Sequence, residues 1–178
     1  WAVFLGCRPY EKDFYNTGRE TYLLQVTWKE NWPVILDSGN VVPTVVEKND
    51  LQPAENLNTG NFRYSDKFDG DKLDMRWIFL RNPTPEFYSL GNKGLTIKTI
   101  PVNVSQKEAV PVVVRRKQHT SFSADTQLNF TPRSSQDLAG MVLFQNEEYH
   151  FVLGKTMLDS YPAITLSRTE KTETVIAS

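Results

Sequence analysis

Apolar and polar residues alternate along this chain with a period of two, and a helical period of 3.6 is almost absent. Tyr22, Leu24, Val26 and Trp28 share one side of an extended segment that follows the string GRE. In SFSADTQLNF, Phe122, Ala124, Thr126, Leu128 and Phe130 alternate with Ser121, Ser123, Asp125, Gln127 and Asn129, which predicts a half-buried strand with one wet face. AGMVLFQN puts Met141 and Leu143 on one side and Val142 and Phe144 on the other, as in a strand covered on both faces. The string NEE then reads as a tight turn into YHFVLGK, so residues 139–155 are predicted to form a hairpin.

Gly, Pro, Asn and Asp bound these runs, and one stretch lacks sustained alternation. Residues 37–61, which include Pro43 and Pro53, read as a linker crossing a surface. The expected organisation is all-β: a short piece over residues 1–36, the linker over 37–61, and an antiparallel β-sandwich over 62–178. Sandwiches carry many unrelated functions, so periodicity alone does not reach function.

Composition narrows the classes. With 178 residues, 39% hydrophobic and 23% charged, the chain can bury a core and is not of disordered type. A formal net charge of -1 gives no electrostatic footprint for nucleic acid or an anionic membrane, and Arg115, Arg116 and Lys117 make only a basic triplet. Cys7 is the single cysteine, which excludes an internal disulfide and a thiolate metal site and leaves the compartment open. The opening WAVFLG is too short for a signal peptide or a membrane span, and no initiator Met precedes it, so the chain is expected to begin in mid-strand as part of a longer product.

Candidate chemistry is sparse. Asp66, Asp69, Asp71 and Asp74 are oxygen ligands of the kind calcium takes, but their spacing does not match an EF-hand loop; a turn on Asp69-Gly70 is the expected reading, with no cofactor. His119 and His150 have no ligand partner at a metal spacing, and His150, between Tyr149 and Phe151, reads as a satisfied sheet histidine. No serine stands in a nucleophile-elbow motif, and Cys7 has no evident base. Glu147 and Glu148 are neighbours at a turn, so they face apart and do not form an acid and base pair. Trp28, Trp32, Trp77 and Tyr88 are candidates for stacking on sugar rings, although such residues more often anchor cores. Asn103-Val104-Ser105 and Asn129-Phe130-Thr131 are sequons that matter only in a glycosylating secretory pathway. Arg19 and Glu20, adjacent at the mouth of a strand, leave two readings open: a surface ion pair, or a polar group held at a ligand.

Several long strings resemble one family. LGCRPY followed by GRETYLLQVTWKENWPVI resembles the last blade of the five-bladed β-propeller of glycoside hydrolase family 43, the xylosidases and arabinofuranosidases. FRYSDKFDGDKLDMRWIFLRNPTPEFYSL, RRKQHTSFSADTQLNF and AGMVLFQNEEYHFVLG resemble the concanavalin A-like jelly-roll sandwich that follows the propeller in two-domain members. The resemblance covers residues 1 to about 154, in the family's order. It implies an inverting exo-pentosidase acting on xylose- or arabinose-containing plant cell-wall oligosaccharides. The catalytic aspartates and glutamate lie on earlier blades, so this chain is expected to carry no catalytic carboxylate, to be inactive alone, and to act with the remainder of a propeller in the same product or another chain. In the family's Gly-Arg-Glu-Thr motif the Arg points into the central pocket and contacts the terminal sugar; here it is Arg19, the one substrate-binding residue the resemblance assigns, with Glu20 bracing the blade. The alternative reading is a free-standing carbohydrate-binding or structural module, with Trp32 or Tyr88 as its platform.

Two departures stand out. Family members lend an aromatic to the pocket from a string like Leu-Arg-Ile-Pro-Phe, where this chain has LRNPT with Thr84 at that place; Phe87, three residues on, is the candidate substitute. Family sandwiches also continue through further strands beyond the segment ending at Ser178, so an open edge and an uncovered apolar face are expected.

Overall fold

The structure is a computed structural model that describes residues 1–48, 52, 63–82 and 87–178. Among these residues there are twelve strands and no helix, and every ladder is antiparallel. The chain divides into two compact units, residues 1–65 with 116–122, and residues 66–115 with 123–178.

In the first unit, β1 (Ala2–Cys7) pairs with β2 (Arg19–Leu24) from Ala2 opposite Leu24 to Cys7 opposite Arg19. The hairpin mouth closes through Tyr10 N–H donating to the Phe14 carbonyl at 2.7 Å, with the two rings 6.3 Å apart. The strand expected to run from Tyr22 through Trp28 breaks after Leu24, because the chain changes partner there. β3 (Thr27–Lys29) pairs instead with β4 (Trp32–Val34). Glu30 and Asn31 link these two strands, both with positive φ (49° and 64°), the backbone of a primed two-residue turn whose twist suits a hairpin. Residues 35–48 carry no strand, as the linker reading expected; residues 49–51 and 53–61 of that stretch, including Pro53, lie outside the described residues.

In the second unit, β9 (Ala139–Asn146), β10 (Tyr149–Leu158), β11 (Tyr161–Glu170) and β12 (Thr172–Ala177) form a four-stranded meander in the order β12-β11-β10-β9. The predicted hairpin over 139–155 is present, with Glu147 and Glu148 at its turn. Asp159 and Ser160, at φ 48° and 71°, make the next hairpin turn. Two short ladders accompany the meander: β5 (Ile78–Phe79) with β8 (Val113–Val114), and β6 (Tyr88–Gly91) with β7 (Gly94–Ile97). Phe87 is buried at 5% exposure, edge-on to Phe79 at 5.4 Å and 82°, with Tyr88 5.2 Å away; among the described residues Val110 is the other buried apolar side chain of this unit.

Two expectations from alternation fail in informative ways. Ser121–Phe130 alternates without pairing: it belongs to no ladder among the described residues, and Phe122 and Leu128 are exposed. A strand needs a neighbour to take its N–H and C=O groups, and this segment pairs with none among the described residues. β9 is covered on one side only. Register places Phe144, His150, Val152, Ser167 and Thr169 on one face of the meander, where His150 and the β11 hydroxyls are buried. The opposite face presents Leu143, Phe151, Leu153 and Ile164, with Leu153 46% and Ile164 57% exposed.

Candidate functional site

The mouth of the β1–β2 hairpin collects the polar residues that the sequence singled out. Successive strand residues point to opposite sides, so Arg19 and Glu20 cannot form the ion pair their adjacency invites. Glu20 is partly buried, and its Oε1 accepts a hydrogen bond from Thr17 Oγ1 at 2.5 Å and from Arg8 Nη2 at 3.2 Å. The same Nη2 donates to the Gln118 carbonyl at 3.1 Å. Gly18, at φ +71°, turns the chain from Thr17 into β2. Sequence reasoning missed Arg8 and Thr17; the signal available was the hairpin itself, which sets Gly6 opposite Glu20 and so leaves Arg8, two residues on, within side-chain reach of the Glu20 carboxylate.

Tyr22 lies beside this cluster. Its ring stacks on Phe4 at 5.7 Å and 17° and crosses Gly6, where a Cβ would stand 3.1 Å from the ring. Burial pushes the Tyr22 phenol above its ordinary value, the Glu20 carboxylate adds to that rise, and the Arg8 guanidinium opposes it.

Arg19 is exposed on the other face, on the side that carries Val3, Leu5 and Leu23. Its guanidinium makes no hydrogen bond or ion pair among the described residues, so its five fixed donors are open to a hydroxyl-rich ligand or a carboxylate. A separate groove of about 560 Å³ on this unit is lined by Phe4, Trp32, Val34, Leu36, Asp37 and Val42. Trp32 at its edge is 72% exposed, and Asp37 is held by Lys29 Nζ at 2.7 Å.

The remaining candidates have structural employment. Asp66 accepts from Phe68 N–H at 2.8 Å and from Trp77 Nε1 at 2.7 Å, while Asp74 takes the Arg76 N–H and guanidinium at 2.9 and 3.1 Å. Among the described residues no group of three or more His, Cys, Asp or Glu side chains is arranged to hold a metal ion. His150 is the satisfied sheet histidine expected: Nδ1 lies 3.2 Å from the Asn146 carbonyl, Nε2 lies 3.4 Å from Ser105 Oγ, and the ring stacks on Phe144. Glu147 is ion-paired with Arg81, which also donates to the Glu108 carbonyl at 2.7 Å, so Glu147 is a brace. Tyr88 packs against Phe79 and Phe87 and offers no open platform. Phe87 is buried and unavailable as a pocket aromatic; Thr84 lies outside the described residues.

An all-β unit built on a meander of four antiparallel strands is compatible with one layer of a concanavalin-like sandwich. Residues 65–177 match the family described as the Beta xylosidase C-terminal Concanavalin A-like domain. The chain belongs to glycoside hydrolase family 43. It is 30% identical over 178 residues to a non-reducing end alpha-L-arabinofuranosidase of Bacteroides ovatus, covering 98% of this chain and 33% of that protein. With a xylosidase/arabinosidase of Butyrivibrio fibrisolvens it shares 34% identity over 158 residues, covering 86% of this chain and 30% of that one. The crystal structure of a xylan beta-1,4-xylosidase from Bacillus halodurans superposes with a TM-score of 0.75 over 99% of this chain and 34% of its own, at 24% identity, a likeness of fold. The chain thus spans about a third of the length of the curated relatives it matches.

Proposed function

We propose that this chain serves as the last propeller strands and accessory sandwich of a family 43 glycosidase that removes xylose or arabinose from plant cell-wall oligosaccharides. In this reading the acid, base and orienting carboxylates are supplied by the remainder of the propeller, none of them by this chain, and Arg19 contributes donors to the terminal sugar. The observation that carries the reading is the span of the match: a relative named alpha-L-arabinofuranosidase aligns over 98% of this chain, the β1–β2 hairpin as well as the second unit, and one named xylosidase/arabinosidase over 86%. An exposed, uncommitted guanidinium at the end of a braced strand is what a sugar-contacting arginine requires.

The test uses the full-length polypeptide carrying this segment, assayed on 4-nitrophenyl β-xyloside and α-arabinofuranoside. Arg19→Ala is expected to lower kcat/KM roughly ten- to a hundredfold, the size of one or two lost hydrogen bonds from a charged donor. The 178-residue chain alone is expected to show no hydrolysis. Hydrolysis by the isolated chain, or an Arg19→Ala enzyme as active as its parent, overturns the respective half of the proposal.

A second reading, a free-standing carbohydrate-binding module, draws on one observation, the exposed Trp32 beside its groove. Titration calorimetry of the isolated chain with xylo- and arabino-oligosaccharides separates the two, since the module gives heat and the segment gives none.

A further inference from the structure

The Glu20 cluster does more than close a hairpin. Thr17 stands just before the Gly18 turn and Arg8 just after β1, so their shared acceptor, Glu20 Oε1, ties both strands together at the level of Gly6 opposite Glu20. Gln118, far along the chain, fixes Arg8 from a third direction through its carbonyl. Register decides which way every side chain of a strand points, and a slip of one residue exchanges the two faces. Holding the Glu20 carboxylate on the covered side therefore turns Arg19 to the open one. The cluster is partly shielded, with the Arg8 and Glu20 side chains 39% and 26% exposed, and hydrogen bonds to a carboxylate are shorter and stronger than those between neutral groups.

We propose that Arg8, Thr17 and Glu20 form the device that aims Arg19, which makes Glu20 a positioning residue for the guanidinium that contacts the sugar. The inference rests on the pocket role of Arg19 given above. It adds a requirement that role does not contain: the effect of Glu20 on turnover passes through Arg19.

A double-mutant cycle in the full-length polypeptide tests it, with 4-nitrophenyl β-xyloside and α-arabinofuranoside as probes. Glu20→Ala is expected to lower kcat/KM about tenfold, carried mainly by KM, and to lower it no further when Arg19 is already Ala. Glu20→Gln is expected to recover most of the loss, because its amide oxygen still accepts from Thr17 and Arg8. If Glu20→Ala does not fold, Thr17→Val removes one donor to the same oxygen and goes through the same cycle. Equal factors in the two backgrounds, or a lowered melting temperature with unchanged kcat/KM, overturn the positioning role while leaving Arg19 in place. An Arg19→Ala variant with unchanged kcat/KM removes the pocket role itself, and the positioning role with it.

Discussion

At the scale of single residues, Tyr22 carries a pH signature. Its phenol is raised first by burial and then by the Glu20 carboxylate, so the folded state favours the neutral form. A group raised in the folded state contributes stability that is fully present below its unfolded value, near 10 for tyrosine, and lost as pH rises through the folded value. Thermal melts of the 178-residue chain from roughly pH 8 to 11 are expected to show a falling alkaline limb that Tyr22→Phe flattens in part. An identical limb in the variant assigns the loss to other groups. The stack on Phe4 survives this change, so the comparison isolates the hydroxyl.

Strand pairing sets the next scale. Gly140 and Gly154 face each other across β9 and β10, and there the two backbones leave no room for a side chain on one of them. A Cβ on Gly140 would run into the Leu153 carbonyl oxygen and come within 2.5 Å of Gly154 Cα. A Cβ on Gly154 would instead meet the end of the Leu138 side chain, which can rotate away, with the Ala139 carbonyl oxygen at 3.2 Å. Gly140→Ala is therefore expected to cost about 1–3 kcal/mol and to exceed Gly154→Ala, measured by urea unfolding. The reverse order would mean that the β9 backbone yields more readily than the Leu138 side chain. The unpaired Ser121–Phe130 segment belongs at this scale too: its alternation is as regular as that of β10, yet only the latter found partners on both edges.

For the whole molecule the dominant feature is the apolar face of the meander. Leu143, Phe151, Leu153 and Ile164 share one exposed sheet face, on which Arg168 stands opposite Phe151 and Lys155 opposite Ile164. The 178-residue chain expressed alone is expected to self-associate and to bind an apolar dye, and Leu153→Glu to reduce both while changing unfolding free energy by only about 0.5 kcal/mol. Sedimentation velocity reads the first and dye fluorescence the second. A monodisperse wild-type chain without dye binding would show that this face is covered in solution.

The sequence by itself determined the all-β class, the hairpin over 139–155 and the family, because period-two alternation, turn residues and long ordered strings are local signals. It also assigned the buried, satisfied role of His150, since its flanking aromatics fix its setting. Only the tertiary structure decided that Glu20 pairs with Arg8 and Arg8 with the Gln118 carbonyl, that Phe87 is core, and that Ser121–Phe130 is no strand. Those outcomes depend on which distant segments meet, and a hydrogen-bond partner twelve or more residues away leaves no trace in the local pattern.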